Sequence, residues 1–411
     1  MTKQSFLAVR SFLTLGNDGN RENAPIPNYW RLSAFYLFYF GSLGALMPYL
    51  SLYLKALGFD AHAIGELTAI IMATKIIAPN IWGWLADHTG RHIIFVRVGS
   101  FLAILCFLGM LVADSYFWLA VVLSSFSFFW NAVLPSFEAT TLAGLGSQSH
   151  HYSRIRLWGS IGFIITVILF GWLFQYVSIT LLPTLLIGLF AGIWLTSLLV
   201  PEAPTAQLSV SHESFYQILK RPSVIALFFA CFLMQASHSP YYVFYSIYLE
   251  ESGYSRNLIG QLWALGVIAE IGVFLLMPRL LRHFRLNDLL IISLGATSIR
   301  WLLIGSYVES LPILLFAQLL HAASFGMYHG VVMQLIRQIF ADSHQGKAQA
   351  LYGSLSFGVG GAVGSLVSGY TWEITGAPLN FFGAALLCSI AVWISWQWGR
   401  NGLKANYKDC I

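Results

Sequence analysis

The chain has 411 residues, of which 9% are charged and 57% hydrophobic, with a formal net charge of +5. A soluble domain carries roughly 25% charge, so water is not the main solvent here, and a +5 charge without a concentrated basic face excludes a nucleic-acid partner. The four cysteines, Cys106, Cys231, Cys388 and Cys410, have neither metal nor redox spacing; they read as packing residues, with no metal site and no cofactor expected.

From the amino terminus, residues 1–29 form a polar tail whose short apolar run, Phe6 to Leu15, is broken by Arg10, so they do not read as a cleavable signal peptide. Six apolar stretches follow near 30–54, 64–86, 93–112, 116–145, 157–176 and 181–200. Each is long enough for a bilayer core that takes about 20 residues per helix. The polar segment 201–222, with Pro201, Pro204 and Lys220-Arg221-Pro222, is a linker. Six more stretches lie near 223–249, 258–278, 289–308, 311–336, 347–371 and 378–398, and residues 399–411 form a second tail. Continuous runs favour helices; a barrel would show alternating segments of about ten residues. The expected fold is an all-α integral membrane protein with twelve transmembrane helices: a six-helix bundle at 30–200 and another at 223–398.

The halves are copies. Ser51-Leu52-Tyr53-Leu54, Gly58-Phe59 and Ile64-Gly65 recur 195 residues later as Ser246-Ile247-Tyr248-Leu249, Gly253-Tyr254 and Ile259-Gly260; Leu157-Trp158-Gly159-Ser160 with Phe163 recurs as Leu351-Tyr352-Gly353-Ser354 with Phe357. An even number of crossings separates the copies, so they run parallel, as in transporters whose two bundles rock about a central site. Small residues mark close helix approach at Gly159 and Gly162 in the fifth helix and at Gly358, Gly361, Gly364, Ser365 and Gly369 in the eleventh. Gly358-Val359-Gly360-Gly361 is not a nucleotide loop, because no strand precedes it.

Orientation follows from Lys and Arg, which favour short cytoplasmic loops. With both termini inside, eighteen of the 22 basic residues fall on inner segments, while Asp60, Asp114, Glu250, Glu251, Glu309 and Glu373 collect outside.

Gly83-Trp84-Leu85-Ala86-Asp87-His88-Thr89-Gly90-Arg91-His92, at the inner end of the second helix, resembles the G-x-x-x-D-x-x-G-R-[RK] signature of the major facilitator superfamily, with His92 where Lys or Arg is usual. Gly83 and Gly90 suit close approach and a tight turn, Asp87 suits a helix amino terminus, and Arg91 suits an anionic leaflet. The stretches 36–58, 152–160, 235–242 and 254–270, with Leu320-His321, Phe325 and His329, resemble the phenylpropionate permease family. That family is similar to the oligosaccharide:proton symporters, lactose permease among them. The resemblance implies proton-coupled uptake across a bacterial inner membrane.

A charge at the bilayer centre costs about 2.5–3.5 kcal/mol on insertion scales, so each one retained should face a partner or a cavity. The candidates are Lys75, Glu138, Glu270, Arg300 and His321, with His238 and His329. The repeat offset sets Glu270 on Lys75; the sequence allows pairing across a cavity or within each half. Asn131, Pro135, Glu138 and Arg156 match the Asn, Pro, Glu and Arg of lactose permease. That resemblance implies a substrate site, against the alternative of a structural Glu138–Arg156 ion pair. Phe163 stands where the relative presents a sugar-stacking Trp, with Trp158 one turn away as a substitute. Glu270, Arg300 and His321 match the relative's coupling residues, but its proton-carrying Glu is Ser324 here, so Glu270 becomes the expected carrier and His321 the next choice. Burial disfavours an ionised carboxyl and a guanidinium favours it, and that competition lets a substrate change proton occupancy. Zinc is not expected, since His321 and His329 are eight apart with no completing ligand.

The expected protein is therefore a monomeric symporter for a small organic solute, its partners being substrate, proton and lipid. Arg156 and Arg300 suit a carboxylate, and Tyr36, Tyr241, Tyr242 and Trp263 suit a ring; Asn131, Glu138 and Arg156 equally suit the hydroxyls of a sugar or nucleoside. His238 joins the expected substrate site. The alternatives of another class are a non-transporting assembly factor or sensor; no nucleophile or carboxylate dyad supports an enzyme.

Overall fold

The computed structural model describes residue 26 and residues 28–202 and 215–402. Most of the two expected tails and of the linker, with Cys410, lies outside them. Six helices make up the first half: α1 (Tyr29–Ala56), α2 (Ala61–Thr89), α3 (His92–Phe107, extended by a 3₁₀ turn Leu108–Leu111), α4 (Tyr116–Leu145), α5 (Tyr152–Leu173) and α6 (Leu182–Leu198). After a short helix, Phe215–Leu219, come α7, broken into Pro222–Ser237 and Ser239–Glu251, then α8 (Arg256–His283) and α9 (Leu286–Ser306). The tenth helix, α10, runs in three pieces: Leu311–Leu319, a π-helical turn Ala322–Met327, and Tyr328–Ile339. Gln345–Tyr352, a π-helical stretch Gly353–Gly360 and residues 361–375 form α11, and residues 377–402 form α12.

Among the described residues, eleven stretches are long and apolar enough to cross a membrane, the last being Gln345–Trp398 with 54 residues. A helix of that length would reach roughly 80 Å, more than twice a hydrocarbon core of about 30 Å. It divides where Gly376 leaves helical geometry (φ 80°, ψ 165°) two residues before Pro378, which makes twelve crossings.

The repeat is visible bond for bond. After α1, Gly58 (φ 92°) lets its N–H donate to the Lys55 carbonyl and that of Phe59 to the Leu54 carbonyl; after α7, Gly253 (φ 85°) does the same toward Glu250, and Tyr254 toward Leu249. This left-handed cap closes a helix with the backbone alone, a conformation glycine takes without a Cβ penalty.

Two compact units result. Among the described residues, one comprises 28–59, 73–202 and 255–264, the other 60–72, 215–254 and 265–402. In the first, α1 and α5 meet through backbone: a Cβ on Gly44 would stand 2.6 Å from the Phe163 carbonyl oxygen, and one on Gly162 would overlap the Leu37 carbonyl. Arg97 of α3 donates to the carbonyls of Ser197, Leu198 and Val200, closing the end of α6. In the second, α7 and α11 meet in the equivalent way, a Cβ on Gly360 falling 2.8 Å from the Phe232 carbonyl oxygen. The first turns of α2 belong to this unit: Gly65 lies against Gly369, the Ala61 N–H donates to Glu373 (3.0 Å), and the Tyr370 hydroxyl donates to Glu66 (2.9 Å).

Candidate functional site

Each unit carries its own cluster of intramembrane ionisable groups. In the first, Glu138 of α4 and Arg156 of α5 are half-buried. The Tyr152 hydroxyl donates to Glu138 Oε1 (3.0 Å). The Arg156 guanidinium carbon lies over Phe40, 3.6 Å from the ring centroid, and 5.8 Å from that of Tyr36. Tyr36 is fully buried and its hydroxyl donates to Thr141 Oγ1 (3.3 Å). Glu138 and Arg156 form no ion pair, which corrects the structural-pair alternative: the arginine takes an aromatic cage and the carboxylate takes a tyrosine. Gly159 makes the room, since a Cβ there would stand 2.7 Å from both Arg156 Nη1 and Phe40 Cδ2.

Asn131, buried on α4, donates to Thr74 Oγ1 (2.9 Å), which donates to Ser127 Oγ (2.9 Å). Lys75, next to Thr74 on α2, is half-buried, and its ammonium meets neither acceptor nor carboxylate among the described residues. Trp158 is set apart from Phe40 and Arg156: its indole donates to the Tyr29 hydroxyl (2.9 Å) and meets Trp30 edge-on (5.6 Å) at the start of α1.

In the superfamily signature Gly90 (φ 67°) makes the tight turn between α2 and α3, but the expected close approach at Gly83 is absent; no described atom lies within 4 Å of a Cβ placed there. Asp87 does not accept from the amino terminus of α3. Glu202 fills that role on the Ile93 N–H (3.2 Å), and Asp87 pairs instead with His92 Nε2 (3.4 Å). Arg91, the residue before α3, is exposed.

The second unit holds a denser network around Arg300, which is fully buried. Its Nη1 donates to His321 Nδ1 (2.9 Å) and Ser324 Oγ (3.2 Å), and its Nη2 to Gln318 Oε1 (3.0 Å). Tyr241 also donates to Gln318 Oε1 (3.1 Å), and Gln318 Nε2 donates to the Tyr245 hydroxyl (2.6 Å). The guanidinium carbon lies 4.2 Å from the Tyr241 ring centroid and 4.7 Å from that of Trp301. A guanidinium can only donate, so His321 Nδ1 accepts, and in the neutral ring the proton sits on Nε2. That nitrogen stands 3.9 Å from Glu270 Oε2, too far for a hydrogen bond and close enough for an ion pair or one bridging water. Glu270 is half-buried.

Two glycines give the network space. A Cβ on Gly326 would stand 2.8 Å from Glu270 Cγ, and one on Gly266 3.2 Å from His321 Cδ2. Ser324 and Gly326 both lie in the π-helical turn of α10, a feature frequent at functional sites. His321, Phe325 and His329 stack along α10 with ring planes 4° and 9° apart, and His329 Nδ1 meets the Tyr352 hydroxyl at 3.2 Å. Of the expected ring receivers, Tyr36, Tyr241 and Trp263 are buried and Tyr242 is half-buried.

Sequence reasoning missed Gln318 and Tyr245 in the second unit and Tyr152 and Phe40 in the first. For Gln318 a signal was present: a polar side chain three residues before His321 in an apolar helix shares its face.

The MFS_1 like family model matches residues 29–382. The chain is 30% identical over 352 residues to a probable 3-phenylpropionic acid transporter of Escherichia coli (strain K12), covering 83% of this chain and 90% of the relative. It is 25% identical to a maltose permease of Geobacillus stearothermophilus (87% and 92% covered) and 21% identical to a xanthosine permease of Escherichia coli (strain K12) (84% and 91%). In fold it is similar to a mutant of the nucleoside transporter NupG, with a TM-score of 0.78 and 16% identity over 90% of this chain and 99% of that one.

Proposed function

We propose that this chain, which belongs to the MFS_1 like family of the major facilitator superfamily, couples uptake of a small aromatic carboxylate to the inward movement of a proton. The chain is a secondary transporter and not an enzyme, and it is a multi-pass membrane protein with a small-molecule substrate. The finer points are our reading: a proton as the coupling ion with no other cofactor, a monomer as the working unit, and the bacterial inner membrane with both termini in the cytoplasm.

The observation that carries the reading is the chemistry around Arg300. A buried guanidinium is costly to leave unneutralised, yet its three direct acceptors are neutral, and Glu270 is held one imidazole away. The Glu270 carboxylate stands 3.9 Å from His321 Nε2, across the imidazole from Arg300, and is our proposed seat of the proton. His321 stands between them and links the occupancy of Glu270 to the position of Arg300. When Glu270 is ionised, the imidazole Nε2–H points its positive end toward the carboxylate; when Glu270 is protonated, that attraction falls and the π-helical turn gives α10 slack to shift. Proton coupling follows if the shift accompanies the exchange between access states.

A carboxylate solute is favoured because each unit has an arginine with no carboxylate in salt-bridge range among the described residues and an aromatic face beneath it: Arg156 over Phe40 and Arg300 over Tyr241. In the first unit Glu138, Asn131 and Lys75 complete the proposed substrate and coupling set. The test is uptake of radiolabelled 3-phenylpropionate by membrane vesicles under an imposed pH gradient. Saturable uptake, abolished by a protonophore and not competed by maltose or xanthosine, is expected; competition by either in place of 3-phenylpropionate would transfer the site to sugars or nucleosides.

A further inference from the structure

His238 Nε2 is one of three buried side-chain nitrogens described in the second unit that have no hydrogen-bond partner, with Arg300 Nε and Trp398 Nε1. The seventh helix breaks at His238: Pro240 has no N–H, Ser239 starts the second piece, and the His238 N–H turns to the Gln235 carbonyl (3.1 Å) instead of that of Met234. The freed Met234 carbonyl is taken by the Ser237 hydroxyl (2.7 Å) and by His238 Nδ1 (2.9 Å). A carbonyl only accepts, so Nδ1 carries the proton, and in the neutral ring Nε2 is a lone-pair acceptor. A second proton would add a cation beside Trp301, whose ring already meets the Arg300 guanidinium. His238 is 1% exposed and its Nε2 has no donor.

No described residue donates to it. Trp301 meets the imidazole edge-on at 4.9 Å but commits its own N–H to Ser237 (3.2 Å); Phe325 and Tyr242 complete the cage at 6.3 and 5.7 Å between ring centroids. Tyr241, the next aromatic along, gives its hydroxyl to Gln318. Arg300, whose guanidinium carbon lies 4.7 Å from the Trp301 ring centroid, has a buried Nε donor without an acceptor among the described residues. Leaving such groups unpaired costs about 1–3 kcal/mol each, and native proteins keep few of them. Tyr242 and Phe325 are the half-buried members of the cage.

We propose that His238 Nε2 is the acceptor for a hydroxyl of the transported solute, so that the site selects a ring-hydroxylated aromatic acid over its unsubstituted parent. The inference rests on the aromatic-carboxylate reading above and sharpens it. A site with a fixed, desolvated acceptor discriminates strongly against an analogue that lacks the matching donor, because the acceptor is then left unpaired. A hydroxyl also presents oxygen lone pairs, the complement that Arg300 Nε lacks.

The experiment is competition of vesicle uptake by 3-phenylpropionate and by its three ring-monohydroxylated isomers, with normal protein and with His238→Phe and His238→Gln at matched membrane levels. In the normal protein the best hydroxylated isomer should compete at least about tenfold more strongly than the parent. His238→Phe should bring the two within about twofold, largely by losing the hydroxylated isomer. His238→Gln, whose Oε1 can stand near Nε2, should keep part of the preference and guards against loss of folding in the Phe variant. Equal competition in the normal protein, or a preference that survives His238→Phe, overturns this inference alone. Competition by none of the four acids overturns the aromatic-acid reading and this inference with it.

Discussion

Replacing Arg300 with Lys keeps the buried charge and removes the fork, which separates two explanations of the second cluster. The guanidinium serves three acceptors at once: His321 and Ser324 through Nη1, and Gln318 through Nη2. A single ammonium reaches one side of that arc. Hydrogen bonds to a charged donor are worth about 1.5–3 kcal/mol each, so losing two removes roughly 3–6 kcal/mol. Gln318 retains Tyr241 and Tyr245 as partners, and that rescue leaves roughly 2–3 kcal/mol against the arrangement, a factor of about 30 to 160 in its population. His321 also loses the donor that fixes its tautomer, and a ring protonated on Nδ1 turns a lone pair toward Glu270. Uphill accumulation in proteoliposomes should therefore fall by more than tenfold, while counterflow with solute on both sides falls much less. A Lys variant that accumulates like the normal protein would refute the claim that fork geometry, and not charge alone, couples His321 to Glu270.

Three further substitutions test the packing. Gly44→Ala drives a methyl into the Phe163 backbone, where the near atoms are the carbonyl oxygen at 2.6 Å and Cα at 3.1 Å; helices cannot yield as side chains do, so a destabilisation of about 1–3 kcal/mol should appear as a lower melting temperature in detergent. Gly159→Ala meets only Arg156 Nη1 and the Phe40 ring edge, so folding should hold while Arg156 leaves its cage, and KM should rise several-fold with little change in melting temperature. Arg97→Gln uncaps three carbonyls at the end of α6 and should lower the melting temperature without moving KM.

Much of the architecture was legible because bilayer burial writes itself into composition. Runs of apolar residues located the crossings, and the repeat at Gly58 and Gly253 reappears as the same pair of capping bonds. The break at Gly376 was implicit in the gap between the last two apolar runs. The site was legible as a set of residues but not as contacts. Glu138 and Arg156 stand at a spacing that suits an ion pair, yet each prefers an aromatic neighbour contributed by elements whose approach no local pattern encodes. The partner of Asp87 was hidden for a related reason: Glu202, more than one hundred residues later, takes the amino terminus of α3 and leaves Asp87 to His92. Tyr245 and Gln318 are seventy-three residues apart in sequence and meet through packing of α7 on α10.

The central claim is that Glu270, half-buried 3.9 Å from His321, holds the coupling proton, and Glu270→Gln tests it by removing the charge at nearly constant side-chain volume. Purified variant and normal protein would be compared in proteoliposomes for accumulation driven by a pH gradient and for counterflow of labelled solute. The account predicts that Gln abolishes accumulation and leaves counterflow. Accumulation by the Gln variant that still tracks the pH gradient would contradict it.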